Sequence, residues 1–388
     1  MTATSDDPTV ASEIRYQDFL ATGPGTPAGR YLRRFWQPVH LSEELRAGRA
    51  QPIRILGEDL TLYRGESGEA HLLAFRCAHR GTQLSTGWVE GDELRCFYHG
   101  WKYDGSGQCT EQPAEPEPFC SRISIKSYPT QEYLGLIFAY LGEGEPPALP
   151  RLRDFEESAY PRTVSSILRP VNYFAQMDNS VDVAHSGVLH PQMSLPIMKG
   201  FEARENEFGI IITDSPYGVR DTPLFFTMPN IFEFGGPPRA SMPAWFFQRG
   251  WWVPVDDTHH FRFELGVVMS EAEAAQRKAL RKTILPKSES VLRDLLAGTR
   301  NLHDVTLEEF PGSTLVLLQD STMLIGLGNL AERGAGEHLG RSDTGVRLLR
   351  SMWARELRAL TEGRALTAWH RPEGLWQDVE ARATAARQ

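Results

Sequence analysis

From Pro52 to Gly142 the chain alternates short runs of β-branched, aromatic and aliphatic residues with turn residues: PIRILG, LTLYRGESG, AHLLAF, ISIKSYPTQ and LGLIFAYLG. Short apolar runs at close intervals predict an all-β domain. A Pro- and Glu-rich stretch, GEGEPPALPRLRDFEE from Gly142 to Glu157, breaks the pattern and predicts a linker, with a boundary near residue 148. Beyond it, strand-like runs (FGIIITD, LFFTM, IFEFGG, AWFFQRGWWVPV, HHFRFELGVVM) alternate with the helical run EAEAAQRKALRKTIL. Toward the end, Asp343 or Thr344 caps a helix carrying Val346, Leu349, Met352, Trp353, Leu357 and Leu360 at three- and four-residue spacing. The expected organisation is α+β: an arm over residues 1–38, an all-β domain over 39–148 and an α+β domain over 149–388.

Length and composition narrow the function. With 388 residues, 41% apolar and 23% charged, the chain is a globular protein large enough for two or three domains. The net charge of −9 opposes the counterion-release attraction that nucleic acid binding needs. The start lacks a basic region followed by an apolar stretch, and no later run nears the roughly 18 apolar residues of a membrane span, so a cytoplasmic location without a membrane partner is expected. There Cys77, Cys96, Cys109 and Cys120 read as thiols or metal ligands. GPGTPAG follows no strand, and GLGNLAERGAG lacks the dinucleotide-loop spacing, so NAD(P)H is not expected to bind this chain.

Two constellations carry chemistry. CAHRG supplies Cys77 and His79, and CFYHGW supplies Cys96 and His99. Four such ligands in two loops suit either zinc or a 2Fe-2S cluster in which two histidines replace two thiolates. Each loop offers one ligand of each kind, which favours the Rieske cluster, because zinc fingers usually pair like with like. Gly81 and Gly100 allow tight loops and leave N–H groups for the sulfurs, and Trp101 can cover the site. Cys109 and Cys120, in a Pro- and Glu-rich loop, have no expected redox role.

In NYFAQMDNSVDVAHSGVLH, Asn179, Asp182 and His185 recur every third residue and share one helical face. Gly187, in a left-handed conformation, ends that helix and turns His190 back toward His185. Two histidines and a carboxylate make the facial set of non-haem Fe(II) oxygenases. Asp320, interrupting the apolar run STLVLLQDSTMLIG, is the strongest third ligand, with Glu308 and Glu309 as runners-up. Asp182 serves as a positioning carboxylate that accepts the Nδ1–H of a liganding histidine, and it can bridge to a cluster histidine. His259 and His260 read as solvated turn residues beside Asp256 and Asp257. Phe232, Phe234, Trp245, Phe246 and Phe247 are candidates for an apolar pocket, and Arg204, Arg220, Arg239 or Arg249 for pairing with a substrate carboxylate.

With RYLRRFWQPVHLSEEL, CAHRG, CFYHGWKYDGSGQC, NYFAQMDNSVDVAHSGVLH and AERGAGEHLGRSDTGVRLLR in view, the sequence resembles the Rieske non-haem iron ring-hydroxylating oxygenases, in particular the α-subunit-only, phthalate dioxygenase-like group. The resemblance implies a Rieske domain followed by a catalytic domain with a central antiparallel sheet flanked by helices. Cys77 and Cys96 would bind one cluster iron and His79 and His99 the other, while His185, His190 and Asp320 would hold a mononuclear Fe(II), Asp320 standing in the family's Gln–Asp pair. It further implies a head-to-tail homotrimer in which Asp182 links His185 to His99 of a neighbour, and electrons from a separate NAD(P)H-dependent reductase, with or without a ferredoxin. The reaction would be dioxygenation or monooxygenation of an aromatic substrate with O2, O-demethylation of a methoxylated aromatic included. Ala78, Asp178 and Met323 to Gly326 depart from the group's pattern and put a phthalate-type substrate in doubt. The alternative from another class is a metal-stabilised protein that binds a hydrophobic ligand.

Overall fold

The computed structural model describes residues 14–194, 196–198, 200–213, 223–236, 246–328, 330 and 336–385. The arm forms α1 (Tyr16–Leu20) and α2 (Pro27–Leu32). Thr26 starts α2: its hydroxyl accepts the Gly29 N–H, and Pro27 follows at the first helical position, where no N–H is needed.

The all-β part runs through β1 (Trp36–Leu41), β2 (Arg49–Ile55), β3 (Glu58–Arg64), β4 (Ala70–Ala74), β5 (Trp88–Glu90), β6 (Glu93–Arg95), β7 (Lys102–Tyr103), β8 (Cys109–Glu111), β9 (Ser127–Tyr128), β10 (Thr130–Tyr133) and β11 (Leu136–Tyr140). They make three antiparallel sheets in the orders β1-β11-β10, β2-β3-β4-β9 and β5-β6-β7-β8. The apolar run LIFAY becomes the fully buried β11, held between β1 and β10. The linker holds one short helix, α3 (Arg153–Glu156).

The second part contains β12 (Arg162–Arg169), α4 (Tyr173–Val181), α5 (Ser186–Leu189), β13 (Glu202–Asn206), β14 (Gly209–Thr213), β15 (Leu224–Thr227), β16 (Ile231–Gly236), β17 (Phe246–Pro254), β18 (His260–Val267), α6 (Glu271–Leu296), α7 (Ser313–Gly326), α8 (Thr344–Thr361) and α9 (Leu375–Ala385). Its strands form one antiparallel sheet in the order β12-β18-β17-β16-β15-β14-β13. The α8 helix follows the expected spacing and buries Val346, Leu349, Met352, Trp353, Leu357 and Leu360. The α6 helix runs on past the expected stretch and through Pro286 to Leu296.

One apolar core crosses the linker. Phe19 and Tyr31 of the arm, Phe138 of β11, Phe174 of α4, Trp251 of β17 and Trp353 of α8 all belong to it. Main-chain bonds from Leu56 and Gly57 to the carbonyls of Pro254 and Val255, 2.7 and 2.9 Å, tie the two parts further. A buried charge network lies beyond this core: Glu233 on β16 pairs with Arg249 and with Arg371 (2.7 Å), and Arg371 also pairs with Asp154 (2.7 Å). Arg249 is thus committed inside the protein and is not available to a substrate carboxylate, while Arg204 sits exposed on β13 beside Glu202. Arg220, Arg239 and Trp245 lie outside the described residues. No helix among the described residues is long and apolar enough to cross a membrane.

Candidate metal centres

The two cluster loops are built alike. Cys77 N–H donates to the Thr82 carbonyl and Cys96 N–H to the Trp101 carbonyl, 2.9 and 2.8 Å, and each cysteine carbonyl accepts the N–H of the glycine four residues on. Those glycines turn the chain with φ of +74° at Gly81 and +76° at Gly100, a region that disfavours side chains. A Cβ on Gly100 would also come within 2.8 Å of Pro113. The glycine N–H groups are spent on the cysteine carbonyls, and the N–H groups the turn leaves for a sulfur are those of Tyr98 and His99, which face Cys96 Sγ.

Cys77 and Cys96 are buried, and burial pushes the Cys96 thiol up, the adjoining Cys77 thiol adding to the rise. Two buried, neighbouring thiols are a set that a cation would stabilise as thiolates. Tyr103 Oη lies 3.2 Å from Cys77 Sγ and accepts the Ala78 N–H at 3.1 Å, so it fixes both the sulfur and its loop. This tyrosine was not singled out from the sequence. His79 stacks flat on Trp101, with ring centroids 4.6 Å apart, and its ring lies 4.4 Å from that of His99. His79 Nδ1 is buried with no protein partner, as a ligand atom would be. Cys109 and Cys120 are free thiols packed behind Trp101 and Phe119.

The second centre departs from the unbroken helix expected there. The α4 helix stops at Val181, Asp182 caps it with ψ of 85°, and His185 opens α5, so Asn179, Asp182 and His185 do not share one continuous helical face. Gly187 does not take a left-handed conformation. It sits inside α5, where a Cβ would come within 2.4 Å of the Pro196 carbonyl, so glycine serves close packing. His190 caps the end of α5 and is fully buried.

His185, His190 and Asp320 meet, their nearest ligand atoms all within 4.8 Å of one another. His190 Nε2 stands 3.2 Å from Asp320 Oδ1, and His185 Nε2 stands 3.7 Å from the same oxygen. Each ring is aimed from behind. His190 Nδ1 donates to Gln319 Oε1 at 2.8 Å, and Gln319 is braced by a paired amide contact with Gln192. His185 Nδ1 donates to the Asp182 backbone carbonyl, while the Asp182 carboxylate stands 3.7 Å away and accepts the Ala184 N–H. The holder of His185 is thus mainly the Asp182 main chain, not its side chain. With Nδ1 of each ring held from behind, both Nε2 atoms converge on Asp320, the ring atoms that a metal would take. Asn179, missed as a site residue in its own right, points Nδ2 at His185 Nε2 from 3.3 Å.

Burial raises the Asp320 carboxyl, but the His190 hydrogen bond and the charges of His185, His190 and Arg169 outweigh it and hold the group below its ordinary value. Burial lowers His185, and Asp182 together with Asp320 more than reverses this. Glu309 is engaged by Arg300 and Lys287, away from the centre. Of the sequence candidates, His260 proves different: it is fully buried on β18 and donates Nδ1–H to the Val171 carbonyl at 2.7 Å, while only His259 remains in the turn.

Two cavities flank this centre. One of 790 Å³ lies against the sheet and is lined by Phe232, Phe234, Phe246, Phe247 and Trp252 together with Asp320 and His185. Phe232 and Phe234 of β16, Phe246, Gln248 and Trp252 of β17 and Arg262, Glu264 and Gly266 of β18 line it at every second position, while Phe247, between two of them, also stacks on Trp376. The other, of 730 Å³, opens on the Asp182 side, between α5 and α7.

Residues 35–129 match the family model for the Rieske [2Fe-2S] domain. The chain is 32% identical over 373 residues to the phenoxybenzoate dioxygenase subunit alpha of Ectopseudomonas oleovorans, covering 88% of this chain and 85% of that protein. It is 29% identical over 357 residues to the 5,5'-dehydrodivanillate O-demethylase oxygenase subunit of a Sphingobium species, covering 88% and 79%. The fold matches the terminal oxygenase of carbazole 1,9a-dioxygenase from Novosphingobium sp. KA1 with a TM-score of 0.62 at 20% identity, over 92% of this chain and 96% of that one. The paired Cys and His loops, the convergent His and Asp group and these relatives together establish that the chain belongs to the Rieske non-haem iron oxygenases, as an oxygenase component with a 2Fe-2S cluster and a mononuclear iron.

Proposed function

We propose that Cys77, His79, Cys96 and His99 hold the cluster, that His185, His190 and Asp320 hold the mononuclear iron, and that the phenylalanine-lined cavity takes a flat aromatic substrate. The observation that carries the reading is the meeting of two imidazoles and one carboxylate, of which His185 and Asp320 line that cavity. When bound, the metals supply stored electrons and the activation of O2. The chain's own residues do the rest. Gln319 and the Asp182 carbonyl hold Nδ1 of each histidine and aim its Nε2, and Asp320 adds one negative charge. Phe232, Phe234, Phe246 and Phe247 hold the substrate ring by apolar contact and exclude water from it.

We further propose a reductase that draws on NAD(P)H, with or without a ferredoxin, a cytoplasmic location suited to four free thiols, and a homotrimer. Two exposed surfaces favour the trimer. Phe97 and Tyr98, 71% and 58% exposed, flank the cluster histidine His99, and Val188, 65% exposed, lies beside Asp182. Monomers with such patches bury them against a partner, and cluster and iron of adjoining subunits would then meet through Asp182. The arm, the cluster domain to residue 148 and the catalytic domain remain the proposed units.

The test is iron and sulfide analysis with visible and EPR spectra, followed by O2 uptake with aromatic acids and methoxylated aromatics and a surrogate reductase. A red-brown protein with substrate-dependent uptake is expected. Formaldehyde release from a methoxylated substrate identifies O-demethylation, and a diol identifies dioxygenation. A colourless, sulfide-free protein overturns the reading in favour of a ligand-binding protein.

A further inference from the structure

Arg169, the last residue of β12, is 3% exposed, yet none of the described carboxylates lies within ion-pairing distance of it. Its Nη1 donates to Gln176 Oε1 on α4 at 2.5 Å. Its Nη2 donates to Ser321 Oγ at 2.7 Å and to the Leu317 carbonyl at 3.3 Å, both on α7. Ser321 Oγ closes the circuit by donating to that same carbonyl at 2.7 Å.

The two helices joined in this way carry opposite sides of the iron site. Ser321 directly follows Asp320, and Leu317 lies one turn before it. Gln176 lies one turn before Asn179, whose amide faces His185, and α4 leads directly into the segment that carries both histidines. Burying a guanidinium without a paired carboxylate is costly, and an apolar side chain would fill the same space without that cost. What an apolar side chain cannot do is reach two helices at once with a rigid fork of donors.

The geometry points to Arg169 as a positioning residue that locks the Asp320 helix to the histidine-bearing helix and so sets the spacing of the iron ligands. This rests on the proposed ligand set. Arg169 makes no hydrogen bond or ion pair with a ligand atom; it holds α7 through Ser321 and the Leu317 carbonyl and α4 through Gln176, and its charge also favours the ionised Asp320.

The test measures Fe(II) affinity by anaerobic titration of the mononuclear site in protein whose cluster spectrum is intact. Arg169→Met is expected to weaken Fe(II) binding about 10- to 100-fold, as loss of an outer contact to a metal site does, and Arg169→Lys to recover part of it. The cluster spectrum is expected to stay unchanged, which a general loss of folding would not allow. Ser321→Ala, which keeps the arginine and removes one acceptor on α7, is expected to weaken binding several-fold and serves if Arg169→Met does not fold. Wild-type affinity in Arg169→Met, or in Ser321→Ala when that variant alone folds, overturns the role. A wild-type protein that takes up no Fe(II) beyond its cluster overturns the ligand set instead, and the two failures are told apart by that control.

Discussion

His190 Nδ1 lies 2.8 Å from Gln319 Oε1, the side chain that immediately precedes Asp320 on α7. One helix therefore supplies a proposed ligand and, one residue earlier, the acceptor that fixes the tautomer of another. Gln319→Leu would leave the ring free to rotate. Fe(II) affinity is expected to fall about 10- to 100-fold while the cluster spectrum is preserved, as measured by metal analysis after dialysis.

Asp182 presents its carbonyl to His185 and leaves its carboxylate at the mouth of the outer cavity. Asp182→Asn keeps the carbonyl and removes the charge. Cluster colour and Fe(II) content are expected to survive, while product formed per cluster oxidised drops by about 10- to 100-fold. Undiminished turnover in a single-turnover assay would rule out the bridge.

Glu233 is fully buried, and burial alone would raise its carboxyl, yet Arg249 and Arg371 hold it down at about 2. Glu233→Gln strands Arg249 in the interior and leaves Arg371 with Asp154 alone. A loss of about 3–5 kcal/mol is expected in denaturant unfolding of the sheet, the cost of breaking a buried pair from one side.

Burial, assisted by the neighbouring Arg169 charge, pushes His260 down to about 3. The unfolded chain takes up a proton near pH ~6.5 that the native ring refuses, so stability is lost as pH falls from there toward the native value. His260→Asn is expected to shrink the difference in unfolding free energy between pH 7 and pH 5 by ~2 kcal/mol, at ~1.4 kcal/mol per pH unit below pH ~6.5. An unchanged difference would place the acid sensitivity elsewhere.

The strands were legible because they leave short apolar runs bounded by turn residues, as in the fully buried LIFAY of β11, and α8 because its buried stripe recurs every three or four residues. The cluster ligands were legible because both loops are local. Asp320 could be picked out only as an acid in an apolar run, since its partners lie 130 residues or more away. Less readable was anything decided by tertiary contact. The break at Asp182 follows no Gly or Pro, Gly187 answers to the Pro196 carbonyl, and His260 is buried because β12 and β18 pair, which DDTHH alone does not announce. Arg169 carried no motif at all; a lone arginine at the end of ILR gives no hint of the two helices it meets.

The main-chain bonds from Leu56 and Gly57 to β17 and the turn beyond it, together with the core shared by Phe138 and Trp251, weld the two halves of the chain. A carrier that swings between donor and acceptor needs a joint, and the described residues offer none at this seam. The separation of the two centres within one chain is then a constant of the fold. In the proposed trimer the path between centres is made by bringing molecules together, so dilution below its association threshold is expected to silence turnover while the metal content stays unchanged.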